Sequence, residues 1–254
     1  MKKVIYLTIA VILAGLTSCM DIDNFDEPDA GVEGRIIDAY TGGNLLSSQG
    51  GFSIRIWERT WKEESLDYQS LAIKQDGSYK NAKLFAGTYD MLCYGGAFWP
   101  CDTVKNVQLS SKGTTVQDFD VTPYLQIESF QYKLEAGGST GRQLVLSCRL
   151  KAPRINGLPN LYELKSFVNT TPWCGSSSYI NVGEYANSRI TFGRSWADEM
   201  AAQGLPVTSS TSVIYALPAM PVKSGYTYWV RVGAAVNDSH RNYNYSDIVK
   251  VDVL

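Results

Sequence analysis

The stretch FAGTYDMLC, residues 85–93, decides the fold class. After the glycine, Tyr89, Met91 and Cys93 alternate with Asp90 and Leu92, so three side chains that favour burial share one face. A hydrophobic period of two residues is typical of a β-strand with one face in a core. The stretch therefore predicts a sandwich strand rather than a helix.

The same period appears on both sides of this strand. Residues 52–56 place Phe52, Ile54 and Ile56 on one face, and residues 226–234 place Tyr228, Val230 and Val232 on one face. Residues 75–78 predict a tight hairpin, because Asp-Gly supplies the positive φ that short turns need. Only residues 196–203 have helix-forming composition, within a long excursion over 170–212. We therefore expect an all-β protein of two tandem β-sandwiches.

The chain divides naturally at Thr122-Pro123, because proline restricts the preceding residue and cannot donate to a central sheet. A length of 254 residues is enough for two domains, each with its own core. The expected segments are a signal peptide over 1–18, an acidic tether over 19–30, a first sandwich over 31–121 and a second over 122–254.

Several motifs carry a family resemblance. The order Gly34-x-Ile36-x-Asp38, Ile54-x-Ile56, Asp76-Gly77-Ser78-Tyr79 and residues 84–89 resembles the transthyretin-like or carboxypeptidase-regulatory β-sandwich. The ending over 118–125, DFDVTPYL, is similar to a family of Bacteroidota surface lipoproteins of unknown function. Residues 226–234 resemble a late strand of a fibronectin type III sandwich. The lipoprotein resemblance implies association with starch-utilisation-type transporters in polysaccharide-utilisation loci.

The N-terminus has the layout of an export signal. Lys2 and Lys3 precede a short apolar run over 4–13, too short for a permanent membrane helix, and the signal region ends with Leu16-Thr17-Ser18-Cys19. These last four residues resemble a bacterial lipobox, which predicts acylation of Cys19 and a lipid anchor in the membrane. The alternative is an ordinary secretory signal that happens to end near a cysteine.

The residues after Cys19 are strongly acidic and poor in apolar side chains, which predicts a solvated tether. In Bacteroidota-type lipoproteins, acids at this place resemble a signal for display outside the outer membrane. A simple linker is the alternative. The formal net charge of −2 provides no basic field for nucleic acid, so no nucleic-acid partner is expected.

Four cysteines remain besides Cys19, and their spacing matches no zinc site. Cys93 either forms a bridge with Cys101, which an oxidising compartment allows, or lies as a small apolar side chain on the buried strand face.

Catalytic groups are scarce. His240 is the single histidine and falls in a polar loop, so neither a hydrolytic triad nor a histidine zinc site is expected. Paired carboxylates could hydrolyse glycosidic bonds without histidine, but most acids fall beside turns or on outer faces, which favours solvated roles. The acids considered are Asp67, Asp90, Glu163, Glu184, Asp198 and Glu199. The glycine-rich residues 137–142 predict a hairpin turn rather than a phosphate loop. We expect no catalytic site, metal or cofactor.

Tryptophans are the remaining candidates, because exposed rings stack on the apolar C–H faces of sugars. Large aromatics also cover domain seams and pack beneath loops, and the sequence does not separate these roles. The candidate ligand-binding residues are Trp57, Trp61, Trp99, Trp173 and Trp196.

These observations favour a non-enzymatic surface lipoprotein that binds a polysaccharide or oligosaccharide for an uptake system. A second hypothesis is an accessory subunit that docks on an outer-membrane transporter complex without touching sugar. A third, an enzyme of glycan breakdown, needs two acids across a cleft.

Overall fold

The computed structural model describes residues 27–60 and 67–254, and these contain seventeen strands and two short helices. None of the helices in these two ranges is long and apolar enough to cross a membrane. The first half contains β1 (Ala30–Asp38), β2 (Ser53–Glu58), β3 (Gln69–Ala72), β4 (Ser78–Leu84), β5 (Gly87–Tyr94), β6 (Val104–Leu109), β7 (Thr114–Val116) and β8 (Phe119–Val121). The second half contains β9 (Gln126–Ala136), β10 (Arg142–Lys151), β11 (Leu161–Asn169), α1 (Gly183–Asn187), β12 (Arg189–Arg194), α2 (Trp196–Ala202), β13 (Ser212–Ala216), β14 (Met220–Val222), β15 (Thr227–Val236), β16 (Tyr243–Tyr245) and β17 (Val249–Asp252).

The N-terminal domain consists of two four-stranded sheets around one core. One sheet has the order β4-β1-β7 with β8 also paired to β1, and the other has the order β3-β2-β5-β6. Ile54 and Ile56 of β2 and Met91 of β5 are buried in the core between the sheets. Full burial of one such side chain contributes about 1.5–3 kcal/mol. The alternating pattern of β2 and β5 is thus confirmed.

The turn at Asp76-Gly77 forms, but it does not connect a hairpin. Gly77 has a φ of 79°, and the Lys74 amide donates to the Ser78 carbonyl across the turn at 2.8 Å. The strands on either side, β3 and β4, pair in different sheets. The tight turn predicted over 75–78 is therefore confirmed, but the two strands do not pair with each other, because a turn sequence fixes a chain reversal and leaves open which strands pair.

The C-terminal domain is a second sandwich, of one four-stranded and one five-stranded sheet. The first has the order β13-β10-β14 with β9 also on β10, and the second has the order β12-β11-β15-β16 with β17 also on β15. Residues 137–141 join the antiparallel strands β9 and β10, which confirms the predicted hairpin turn. Tyr228, Val230 and Val232 are buried in the core, as predicted.

The architecture confirms the predicted all-β class with tandem sandwiches. The bounds 31–121 and 122–254 stay predictions. The signal peptide, Cys19 and most of the acidic tether lie outside the described residues.

A polar seam joins the two domains. The Asn244 side chain accepts a hydrogen bond from the Leu125 amide at 3.0 Å and donates to the Ala97 carbonyl at 2.8 Å. Gln126 donates to the Asp38 carboxylate at 2.8 Å, and all of these groups are buried. The bonds to Ala97 and Asp38 cross from one domain to the other, and because buried polar groups need partners, they fix the two sandwiches against each other.

Arg231 is the largest side chain buried in this seam, and it is 0% exposed. Its guanidinium lies 3.6 Å from the centre of the Tyr245 ring and donates to the Ser47 carbonyl at 2.7 Å. Burial lowers the pKa of Arg231 against the opposing influence of Tyr245 and Cys174. The buried Arg231 cation is therefore stabilised by the Tyr245 ring and the Ser47 carbonyl rather than by a carboxylate.

The cysteines of the described residues are free thiols. The Cys101 thiol donates to the Cys93 carbonyl at 3.3 Å, and Cys93 faces the core. Of the two sequence alternatives, the structure shows the buried thiol.

Candidate functional site

The outer face of the sheet β3-β2-β5-β6 carries a row of aromatic and cationic side chains. Ile54 and Ile56 point into the core, so Arg55 and Trp57 point to the opposite face of β2. Tyr94 has the same outward phase on β5, where Cys93 points inward. We define the aromatic strip as Trp57, Tyr68, Arg55, Tyr94 and His240.

The strip begins with two neighbouring rings. Trp57 is half-buried, and Tyr68, which immediately precedes β3, is 44% exposed. Their ring centres lie 5.7 Å apart with an angle of 58° between the ring planes. Two adjacent rings with accessible area are suited to contact the apolar face of a planar or ring-shaped ligand.

Arg55 links these rings to the next one. Its guanidinium carbon lies 4.2 Å from the centre of the Tyr68 ring and 3.4 Å from the centre of the Tyr94 ring. The two tyrosines come from opposite sides of β2, since β3 and β5 flank it. The cation is held between two aromatic side chains, an arrangement that stabilises it by cation–π attraction of about 0.5–2 kcal/mol for each ring.

The strip ends at the domain seam. The His240 ring packs edge-on against Tyr94 with a centre distance of 5.2 Å, and His240 itself is exposed, as predicted. The loop carrying His240 is tied to the N-terminal domain because Asn242 donates to the Gly95 carbonyl. The strip therefore includes side chains from both domains.

A cleft of about 280 Å³ adjoins Tyr94 and His240. Residues 92–101 form one wall, and Tyr124 and residues 238–240 form the other. Its volume is close to the lower limit of about 300 Å³ for small-molecule pockets. The cleft offers a recess at one end of the open strip.

A larger groove of about 410 Å³ lies elsewhere on the seam, along residues 38–46 and 244–247. Two of its polar groups, Asp38 and Gln126, are hydrogen-bonded to each other. The groove is lined by one aromatic side chain, Tyr245, whereas the strip brings two accessible rings together, so we take the strip as the candidate site.

Trp99 is placed at the seam. It is half-buried against the C-terminal core, with the Arg154 guanidinium 4.2 Å from its ring centre and the Tyr124 ring 5.3 Å away. Its indole N–H is buried and makes no hydrogen bond to a described residue. Trp99 therefore covers a domain seam, the role that the sequence left as an alternative.

The other tryptophans are scattered. Trp196 begins α2 and is 3% exposed inside the C-terminal core, so its choice as a ligand-binding ring needs correction: it offers no face to a ligand. Trp173 is 54% exposed in the segment between β11 and β12 and does not join the strip. Trp61 lies outside the described residues. Of the five candidates, the structure places Trp57 in the strip.

Three of the acids expected in solvated positions are buried instead. Asp90 pairs with Arg59 at 3.0 Å, and Glu163 accepts a hydrogen bond from Tyr243 and lies 3.5 Å from Arg189. Glu199 accepts from Tyr215 at 2.6 Å and lies 3.4 Å from Arg194. Burial raises the pKa values of both tyrosines, and the hydrogen bonds to the acids add to this.

Each of these carboxylates is thus bound to partners of its own and serves the structure of its sandwich. Across residues 27–60 and 67–254, no group of three or more histidine, cysteine, aspartate or glutamate side chains is placed to hold a metal ion.

Sequence reasoning missed Arg55, Tyr68, Tyr94 and His240 as site residues. Two of them had a readable signal, because Arg55 alternates with the isoleucines of β2 and Tyr94 alternates with Cys93. Tyr68 had none, since only the strand order brings it beside Trp57.

Comparison with known proteins identifies both halves of the chain. The N-terminal domain model of DUF3823, a family of unknown function, matches residues 30–122. The DUF3823 C-terminal domain model, also of unknown function, matches residues 125–250. Neither model describes a catalytic family. No curated protein matches the chain.

Several crystal structures share the architecture over 89% of this chain and 100% of their own. One, from Bacteroides uniformis, is described as "a putative carbohydrate binding protein" and is 26% identical with a TM-score of 0.69. A DUF3823 family protein from Bacteroides uniformis is 22% identical with a TM-score of 0.64. Another from Parabacteroides merdae is 17% identical with a TM-score of 0.63. The last two likenesses show the fold alone.

The two family models follow one another along the chain and together span most of it. This protein therefore belongs to DUF3823, a family of unknown function with members in Bacteroides and Parabacteroides.

Proposed function

We propose that this protein is a non-enzymatic surface lipoprotein that binds glycan for a starch-utilisation-type uptake system. The observation that carries the proposal is the aromatic strip on the outer face of the sheet β3-β2-β5-β6. It brings Trp57 and Tyr68 together with accessible area and continues to Tyr94 and His240.

The chemistry of the strip fits a sugar chain. Sugar rings present weakly apolar C–H faces bordered by hydroxyl groups, and aromatic side chains contact such faces with little loss of conformational entropy. The strip rests on paired strands and on a loop that is bonded to the other domain, so its side chains are held on a rigid support. A preformed support lowers the entropic cost of binding.

Two further observations support the proposal. The Bacteroides uniformis relative quoted above is described in terms of carbohydrate binding, and it is similar over nearly the whole chain. The buried acids Asp90, Glu163 and Glu199 are bound to basic or hydroxyl groups, which argues against a pair of carboxylates working across a cleft.

Affinity electrophoresis in gels that contain single polysaccharides tests the binding function. We expect at least one glycan to retard the wild-type protein, and Trp57→Ala to reduce this retardation strongly. Trp173→Ala is the matched control, because it removes an exposed tryptophan outside the strip. If the panel includes the inducing polysaccharide and no glycan retards the wild type, glycan binding is refuted and the accessory-subunit alternative gains support.

The anchor forms a separate part of the proposal. Acylation of Cys19 would hold the protein on the outer membrane, and the acidic tether over 19–30 would place the sandwiches at the cell surface. Metabolic labelling with radioactive palmitate is expected to mark the wild type and not Cys19→Ser. An unlabelled wild type, or a protein that protease cannot reach on intact cells, contradicts this part.

The finer domain assignments are also proposals. We infer a transthyretin-like sandwich over 31–121 and a fibronectin type III-like sandwich over 122–254. Two sheets around one core in each half support both assignments.

A further inference from the structure

The central residue of the aromatic strip is a cation without an anionic partner. Arg55 is half-buried, and its guanidinium makes no ion pair and no hydrogen bond with any residue in the described part of the chain. Its Nε atom is buried without a partner, so a ligand can meet only the two terminal amino groups. Buried donors without acceptors are rare in folded proteins and call for an explanation.

The guanidinium of other buried or half-buried arginines has at least one acceptor. Arg59 pairs with Asp90 at 3.0 Å, and Arg231, whose Nε is also buried without a partner, donates from a terminal amino group to the Ser47 carbonyl at 2.7 Å. Asp90 lies directly across from Trp57 on the same face of the sheet, but it is occupied by Arg59 and by the Asn106 amide at 3.1 Å. The Asp90 carboxylate therefore lies beside the strip but is bonded to Arg59 and the Asn106 amide instead of Arg55.

We propose that Arg55 binds an anionic group, a carboxylate or a sulfate, carried by the sugar whose ring lies on the strip. This inference rests on the proposed function and names its substrate class: an acidic glycan. A guanidinium is planar and weakly hydrated, and it donates two parallel hydrogen bonds to carboxylate or sulfate oxygens.

The two tyrosines strengthen the site. The rings of Tyr68 and Tyr94 lie beside the guanidinium and displace water from it, which strengthens its attraction for an anion. They also hold the cation at a fixed place between the Trp57 end and the His240 end of the strip. An acidic sugar can then stack its ring and pair its charge at the same time.

The test compares matched polysaccharide pairs. Polygalacturonate is compared with its carboxyl-reduced product, and chondroitin sulfate with its chemically desulfated product, by affinity electrophoresis at low and at moderate salt. We expect the wild type to bind at least one anionic member about 10- to 100-fold more tightly than its neutralised partner, because hydrogen bonds between charged groups are roughly twice as strong as neutral ones. The pair that shows the difference identifies carboxylate or sulfate as the recognised group.

Variants separate this role from a structural one. Arg55→Met is expected to remove the preference for the anionic member, and Arg55→Lys, which keeps the charge without the planar fork, to retain part of it. Trp57→Ala is expected to weaken both members of a pair. Arg142→Met, which removes an exposed arginine from the other domain, is the matched control for net charge. Thermal unfolding verifies that each variant is folded.

The outcomes distinguish the two proposals. Retention by neutral glycans, with no preference for anionic members and no effect of Arg55→Met, overturns the acidic-glycan inference and leaves glycan binding intact. Absence of retention by every polysaccharide, charged and neutral, overturns both. An anionic preference that Arg55→Met and Arg55→Lys leave unchanged also overturns the inference.

Discussion

Asn244 allows a quantitative test of the domain seam that supports the strip. Asn244 is 3% exposed, and its amide group bonds to two backbone groups, the Leu125 amide of its own domain and the Ala97 carbonyl of the N-terminal domain. In Asn244→Ala, the Leu125 amide loses its partner while buried, which costs about 1–3 kcal/mol. The Ala97 carbonyl keeps a second bond, from the Tyr124 amide at 3.1 Å, so its loss is only about 0.5–1.5 kcal/mol.

The expected loss in the free energy of unfolding is therefore about 1.5–4.5 kcal/mol. For a chain of this size, each kcal/mol lowers the melting temperature by about 2–4 °C, so a decrease of at least about 3 °C is expected. Urea unfolding followed by tryptophan fluorescence measures the free energy, and thermal unfolding gives the melting temperature. Asn156→Ala, at an exposed position, is the matched control and is expected to stay within about 0.5 kcal/mol of the wild type. If both variants are equally stable, the seam does not couple the domains as described.

Two further predictions address the N-terminal core and the thiols. Gly34→Ala would place a methyl group 1.9 Å from the Gln117 carbonyl oxygen, so we expect the unfolding free energy to fall by at least about 2 kcal/mol. Gly43→Ala is the control, because the nearest atom to its new methyl group is 3.5 Å away. Equal stabilities of the two variants would contradict the packing. In a soluble form that begins after Cys19, Ellman's reagent at pH 8 is expected to react slowly with the folded protein, because burial raises the thiol pKa values and only thiolates react. After unfolding in urea, it is expected to react with all four thiols. A count of two would indicate a disulfide. The thiols whose pKa is raised mainly by burial are Cys93, Cys101, Cys148 and Cys174.

The fold class was accessible from sequence because strand burial repeats every two residues. The alternation of Ile54 and Ile56 with Arg55 and Trp57 identified both the core face and the outer face of β2. The partner strands were not accessible in this way. The Asp76-Gly77 turn suggested a hairpin, although the strands beside it pair in different sheets.

The candidate site was accessible only in part for the same reason. Trp57 was identified from its phase on the strand, but Tyr68 and Tyr94 become its neighbours through the order β3-β2-β5, which depends on contacts distant in sequence. Trp196 was misplaced because a helix of one or two turns has too few residues to show which face is buried. Arg231 alternates with Val230 and Val232 and is therefore expected on the outer face of β15, but contacts with Tyr245 of its own domain and with Ser47 of the N-terminal domain bury it.

The most direct test of the account is a crystal structure of the protein with an oligosaccharide prepared from a polysaccharide that retards it in gels. The account predicts a sugar ring lying on Trp57 and Tyr68. A sugar bound elsewhere, with the outer face of the sheet bare, would contradict the central claim that the aromatic strip is the binding surface.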